Sequence, residues 1–287
     1  MKLIVRADDV GYTIAHNMGT EKAIIDGIVT SADLMLDCPG FEDAVERLKK
    51  YPFLSIGWHP HFWGKPVCDP SEVPSMVNEK GWFKFRKDQS LKNTCDYDEI
   101  VKECRAQVER CIRLLGKAPD YTHAHLNSGI FEKARHQVCD EYGIKYGFCT
   151  KMKPDGTYQE IPKNEYAPLG IYMVNQPATV YKPSFDDSMK VRKTYDPVQY
   201  YQSNAEDMLS KKICITAWHP GFLDDHILKE SSCMEARIVD VIALCSDELK
   251  QWIKTNHVEL INYRDALCGT NEYQNHLKIM GSDLAIH

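Results

Sequence analysis

Asp8 and Asp9 stand side by side in the run Arg6-Ala7-Asp8-Asp9-Val10-Gly11. Two His-x-His pairs, His59 with His61 and His123 with His125, follow further along the chain, and His219 opens the run His219-Pro220-Gly221. Two neutral imidazoles and one carboxylate hold a divalent cation while leaving positions for water and substrate, the usual layout of a hydrolytic metal site. A second Asp beside the ligand Asp suits a general base. A His across the site suits a proton donor to a leaving amine, or a stabiliser of an oxyanion. This inventory fits hydrolysis of an amide or ester. Each cluster also has a plainer reading. An Asp pair after a strand commonly caps a turn or helix, one member of an H-x-H pair commonly stands behind the ligand, and His-Pro-Gly is a common turn. Coincidence decides between the readings, because all four clusters fall at the end of a predicted strand.

The elements that must position these residues alternate along the chain. Leu3 to Ala7 reads as a strand, and Ile14 to Asp26 as a helix ended by Gly27. The run from Ile28 to Leu36 is extended, 41–50 is helical, and Leu54 to Trp58 is a strand. The clearest amphipathic helix spans Tyr97 to Leu115, with Ile100, Cys104, Val108, Cys111 and Leu115 recurring at three or four residues and Gly116 as its stop. Strands are predicted at 120–125, 144–148, 213–218 and 258–261, and helices at 131–142, 198–209 and 234–253. Alternating strands and helices imply a mostly parallel sheet, and seven or eight strands suit a closed (β/α) barrel, TIM-like and irregular, in which strand ends share one rim. A doubly wound open sheet is the alternative, but no glycine-rich phosphate loop follows the first strand. The chain reads as one barrel domain over 1–287, with long excursions at 62–96 and 151–197.

Composition narrows the partners. The chain has 287 residues with 35 Lys plus Arg against 41 Asp plus Glu, a net charge of -6, so no basic excess points to nucleic acid or an anionic membrane. No signal-like segment opens the sequence and no run approaches a membrane span, so a cytoplasmic location is expected. The 11 Cys lack any C-x-x-C pair and read as reduced core thiols. His16, His136, His226, His257, His276 and His287 read as surface or helix residues.

At these motifs the sequence resembles the YdjC-like carbohydrate deacetylase family, of the ChbG/HpnK type. The resembling segments are Arg6 to Gly11 with Asn17-Met18-Gly19, then Gly27 to Ser31, Ile56 to His59, Pro119 to His125, His219 to Gly221 and Arg237 to Leu249. The resemblance implies a barrel related to NodB-type polysaccharide deacetylases and a metal-dependent removal of acetyl groups from N-acetylated sugars such as chitooligosaccharides. It implies Asp9, His59 and His125 as ligands of one divalent ion, Mg or Zn, with Asp8 as general base and His219 as general acid. His61, His123, Arg6, Trp58 and Arg237 are expected behind the ligands or against the substrate. Trp58, Phe62, Trp63 and Trp82 offer candidate sugar-stacking faces. A small carbohydrate is the expected partner, and a homodimer is compatible with the excursions. Two other readings stay open, a metal-dependent hydrolase of another bond such as a phosphoester, and a sugar- or metal-binding protein without catalysis.

Overall fold

The computed structural model describes residues 1–122, 129–147, 150–152, 158–160 and 171–286. In chain order the elements are β1 (Lys2–Val10), α1 (Ile14–Ile25), β2 (Ser31–Leu34), α2 (Phe41–Leu48), β3 (Ser55–Trp58), α3 (Tyr97–Leu115), β4 (Tyr121–Thr122), α4 (Ile130–Tyr142) and β5 (Lys145–Tyr146). There follow β6 (Thr150–Met152), β7 (Tyr158–Glu160), β8 (Ile171–Val174), α5 (Phe185–Thr194), α6 (Pro197–Ser203), α7 (Ala205–Ser210) and β9 (Ile213–Trp218). The last are α8 (Asp225–Glu230), α9 (Ala236–Cys245), α10 (Asp247–Thr255), β10 (Glu259–Leu260), α11 (Tyr263–Cys268) and α12 (Glu272–Ile279).

The strands lie in the order β5-β4-β3-β2-β1-β9-β8-β6-β7, with β10 paired to the start of β1. Every pairing is parallel except that of β6 with β7. Strand numbers rise from β1 to β5 on one side and fall from β9 through β8 to β6 on the other, with the antiparallel β7 at the edge. That is the order of a sheet curling toward a ring, not of a doubly wound sheet with a switch point. Among the described residues no pairing joins β5 to β6 or β7, and the curled parallel sheet with its helices is an irregular (β/α) barrel. No described helix is long and apolar enough to cross a membrane.

Period-two alternation on the strands separates two layers. Leu3, Val5 and Ala7 of β1 pack into the layer between sheet and helices, whereas Ile4 joins Tyr121, Ile171, Met173, Ile215, Ala217, Ile261 and Tyr263 in the barrel interior. Arg6 and Asp8 continue the Ile4 row, so the interior turns from apolar to ionic toward the C-terminal ends of the strands. Trp58 belongs to the outer layer. It is fully buried and its indole N–H donates to Gln107 Oε1 of α3 at 3.1 Å. Its ring is therefore a packing element and offers no sugar face, a correction to its expected place beside the substrate.

The helices follow their predicted spans where caps are strong. Asp96 accepts from the Asp98 and Glu99 amides at the start of α3, and Gly116 ends it in the left-handed conformation at φ 86°. The single helix expected over 234–253 is two, because the Ser246 side chain accepts from Leu249 N and starts α10 afresh. The helix expected over 198–209 is likewise divided at Asn204. The excursion 62–96 is anchored from outside the barrel. Phe62, Phe83 and Phe85 are buried against one another and against Phe131 of α4, and Glu103 of α3 accepts from the Val67 and Cys68 amides at 3.0 Å each. The ten described cysteines are all free thiols.

Helix α1 lies directly against the loop that carries His219. Thr20 Oγ1 donates to the Pro220 carbonyl at 2.7 Å, and Phe222 N donates to the Ala15 carbonyl at 3.3 Å. A Cβ at Gly19 would come within 2.6 Å of the Gly221 and Phe222 backbone, which no side-chain rotation relieves. Helix propensity alone favours Gly19→Ala by about 1 kcal/mol. The close approach reverses the sign, and we expect this substitution to destabilise the protein by about 1–3 kcal/mol, read as a lowered midpoint in thermal unfolding.

Candidate active site

Strand β1 departs from regularity where its carboxylates begin. Ala7 pairs with Ala32 and Val10 with Leu34, so three steps on β1 match two on β2. One residue is extra, a β-bulge, and Asp9 takes φ 61°, a left-handed conformation that Asp tolerates better than most residues. In an unbroken strand Asp8 and Asp9 would face opposite sides. Here Asp8 stays in the interior row while Asp9 turns to meet residues from β3 and α9.

Each carboxylate has its own buried guanidinium. Arg6 holds Asp8 through two bonds, Nε to Oδ1 at 2.6 Å and Nη2 to Oδ2 at 2.8 Å, a bidentate pair. Arg237 Nη2 donates to Asp9 Oδ2 at 2.8 Å, while Asp9 Oδ1 lies 3.1 Å from His59 Nε2. Burial pushes both carboxyls up, but the facing Arg6 and Arg237, helped by nearby imidazoles, outweigh it and hold Asp8 below the ordinary carboxylate range and Asp9 well below it. Both are anionic acceptors at neutral pH.

His59 and His61 come together by a turn and not by strand alternation. β3 ends at Trp58, Pro60 cannot continue a ladder, and the His61 amide donates to the His59 carbonyl at 2.9 Å. Phe62 then takes φ 55°. The two rings lie 4.1 Å apart, and His61 Nε2 is 3.9 Å from Asp9 Oδ1. Asp9, His59 and His61 each bring a ligand atom within 4.8 Å of the others. A carboxylate and two imidazole nitrogens on one open face suit a divalent ion, zinc included. His61, expected behind the ligands, thus offers a ligand atom itself. His123 and His125 lie outside the described residues.

His219 faces this group from the loop after β9. Its backbone N–H donates to Asp240 Oδ2 at 2.8 Å and its ring Nδ1 meets Gln176 Oε1 at 2.7 Å. Burial, opposed in part by Asp9 and Asp8, lowers its affinity for a second proton. His16, read from sequence as a surface or helix residue, lies on helix α1 and is fully buried. Its Nε2 lies 3.1 Å from the Asp8 carbonyl and its Nδ1 3.4 Å from Arg237 Nη1, and burial beside that guanidinium lowers its pKa to about 3.

Three further polar residues were not anticipated. Asp33 on β2 is fully buried, accepts from the Tyr121 hydroxyl, and lies 3.4 Å from Arg6 Nε and 3.8 Å from His59 Nδ1. Asp240 and Gln176 back His219. A lone carboxylate inside an apolar stretch, as in Ala32-Asp33-Leu34 or Ile238-Val239-Asp240-Val241, is the available signal, since a buried charge needs partners. Gln176 lies where periodicity is poor and carries no such signal.

The excursion supplies the rim. Half-buried Trp63 lies 6.4 Å from the His61 ring and 6.1 Å from Tyr12, and the Arg86 guanidinium sits 5.9 Å from Trp63 and 5.0 Å from Trp82. Phe62 is buried in the aromatic anchor. Of the four candidate stacking rings, Trp63 stands half-buried beside the His61 ring, whereas Lys65 Nζ at 5.1 Å and the Arg86 guanidinium at 5.0 Å lie over Trp82.

Comparison with known proteins places these features in a family. A protein of Listeria innocua serovar 6a named carbohydrate deacetylase 2 is 30% identical over 274 residues, covering 92% of this chain and 98% of that protein. One of Brevibacillus brevis named carbohydrate deacetylase is 29% identical over 273 residues, covering 92% and 99%. A crystal structure of a protein from Enterococcus faecalis V583, proposed there to act in cellobiose-phosphate cleavage, shares the fold with a TM-score of 0.68 at 21% identity, over 93% of this chain and 98% of that one. The family model for YdjC-like protein matches residues 2–255, which includes both carboxylate–arginine pairs, His59, His61 and His219, and the chain belongs to the YdjC-like family.

Proposed function

We propose that this protein is a metal-dependent carbohydrate deacetylase that hydrolyses the acetamide of an N-acetylated sugar, with N-acetylglucosamine oligosaccharides as the substrate class. The observation that carries the reading is the division of labour between adjacent carboxylates. Asp9 faces His59 and His61 as a ligand set, while Asp8, one residue away, is held ionised by Arg6 and is not part of that set. The names of the curated relatives agree with a sugar deacetylase.

Asp9 and His59 would hold the ion, with His61 or His125 completing the set. The bound ion supplies Lewis-acid polarisation of the acetyl carbonyl and lowers the pKa of water. The protein's residues do the rest. Asp8 accepts a proton from the attacking water, whose oxygen bonds to the acetyl carbon. His219 Nε2, bare in the resting state, takes up a proton from solvent and delivers it to the sugar nitrogen as the C–N bond breaks, so acetate and a free amine leave and the proton on Asp8 returns to solvent. Trp63 places the pyranose, its face matching the apolar side of the sugar. A phosphoester substrate would call for uncommitted cations at the centre, and the two guanidiniums there, Arg6 and Arg237, are engaged by Asp8 and Asp9.

Acetate release from diacetylchitobiose is the direct test. Release that is lost with a chelator and restored by added zinc or magnesium is expected. Absence of release from every N-acetylated oligosaccharide tried with metal present would refute the substrate class. Asp8→Asn should lower kcat by about 10²–10⁴-fold with metal affinity, measured by calorimetry, kept near that of the unaltered protein. Unchanged turnover would remove Asp8 as base. Trp63→Ala should raise KM roughly 2- to 10-fold, the loss of about 0.5–1.5 kcal/mol of ring contact, with kcat little altered.

A further inference from the structure

The polar residues behind His219 form a closed circuit. Asp240, fully buried, receives three donors. They are the His219 backbone N–H at Oδ2, the Gln176 side-chain amide also at Oδ2, and the Tyr195 hydroxyl at Oδ1 at 3.0 Å. Gln176, itself 4% exposed, has its other end on the His219 ring. One carboxylate thus fixes both the backbone and, through the glutamine, the imidazole of the same residue.

An amide oxygen only accepts and an amide nitrogen only donates. With its NH2 committed to Asp240, Gln176 presents its oxygen to His219, and His219 Nδ1 must carry the hydrogen. Turning the amide over would set its oxygen against the Asp240 carboxylate and its NH2 against Nδ1, moving the imidazole proton to Nε2. We propose that Gln176, oriented by Asp240, is a positioning residue that fixes His219 as its Nδ1–H tautomer and so aims a bare Nε2 into the active site. This rests on the reading of His219 as the residue that exchanges a proton with the substrate. The contact with the ring is a neutral amide and not a carboxylate, so the proton Nε2 acquires during a turnover is not retained by a charge behind it.

The test is nitrogen NMR of the full chain labelled with 15N-histidine, the His219 signals being assigned by their loss in His219→Asn. The expected spectrum of the unaltered protein shows a protonated Nδ1 and an imine-like Nε2. Gln176→Ala and Asp240→Asn should each convert this to a mixture of tautomers or to the Nε2–H form. Gln176→Ala should also lower kcat for acetate release roughly 10- to 100-fold with KM within about twofold. An Nε2–H form in the unaltered protein overturns the proposal without recourse to any variant, and so does an unchanged tautomer in Gln176→Ala. A tautomer shift in Gln176→Ala with unaltered acetate release supports the positioning role and instead removes His219 from the chemistry, which separates the failure of this inference from the failure of the mechanism it rests on.

Discussion

Two consecutive carboxylates in the central strand of a parallel sheet form an arrangement that water-excluded surroundings penalise unless each charge is paired. Here each is. Arg6 reaches Asp8 from two residues earlier on the same strand, and Arg237 reaches Asp9 from 228 residues away. Breaking a buried pair of this kind by removing one partner costs about 3–5 kcal/mol, so the position of α9 and the position of β1 are bound together by the same charges that form the candidate site. The bulge at Asp9 follows from this demand. Without it one of the two carboxylates would point into the apolar layer between sheet and helices, where no guanidinium waits.

The imidazoles extend the same logic outward. His16 fills the space between the Asp8 carbonyl and Arg237, and His59 lies between Asp9 and Asp33. A ring held between polar partners has a defined orientation, and where one partner only donates and the other only accepts, as Arg237 and the Asp8 carbonyl do around His16, it has a defined tautomer too. Ring orientations around the carboxylates are thereby set by the protein before any ligand arrives, which is the preorganisation that lets charge develop without reorganising solvent.

Much of this was legible in the residue order, and the failures have physical causes. α3 shows in its periodicity because it buries one face, β1 and β9 show as apolar runs because both of their faces are buried, and the polar clusters among the described residues stand toward the C-terminal ends of strands because the topology collects them there. The split between α9 and α10 is hidden because the apolar pattern runs on through Ser246, and only its side-chain bond to Leu249 N restarts the helix. His59 and His61 meet for a reason that spacing does not contain, since a proline-bearing turn substitutes for the pleat. Trp58 was readable in principle. It follows inward-facing Gly57, where any side chain would overlap Asp33 and Tyr121, and strand parity then sends its ring outward. The place of His16 on a helix is legible, but its burial is not, because that depends on partners from β1 and α9 that no local window holds.

The anchoring of the excursion 62–96 has a consequence for how this molecule can change. Its phenylalanines root it in the outer layer, under α3 and α4, and Glu103 fastens it there. The ionic centre is rooted in the barrel interior. Rim and ionic centre therefore stand on different foundations, and the ring proposed to meet a sugar can be exchanged without touching the balance of charges beneath it. A new preference among sugars requires rebuilding one insertion, whereas a new reaction requires reworking the strand that runs through the middle of the sheet.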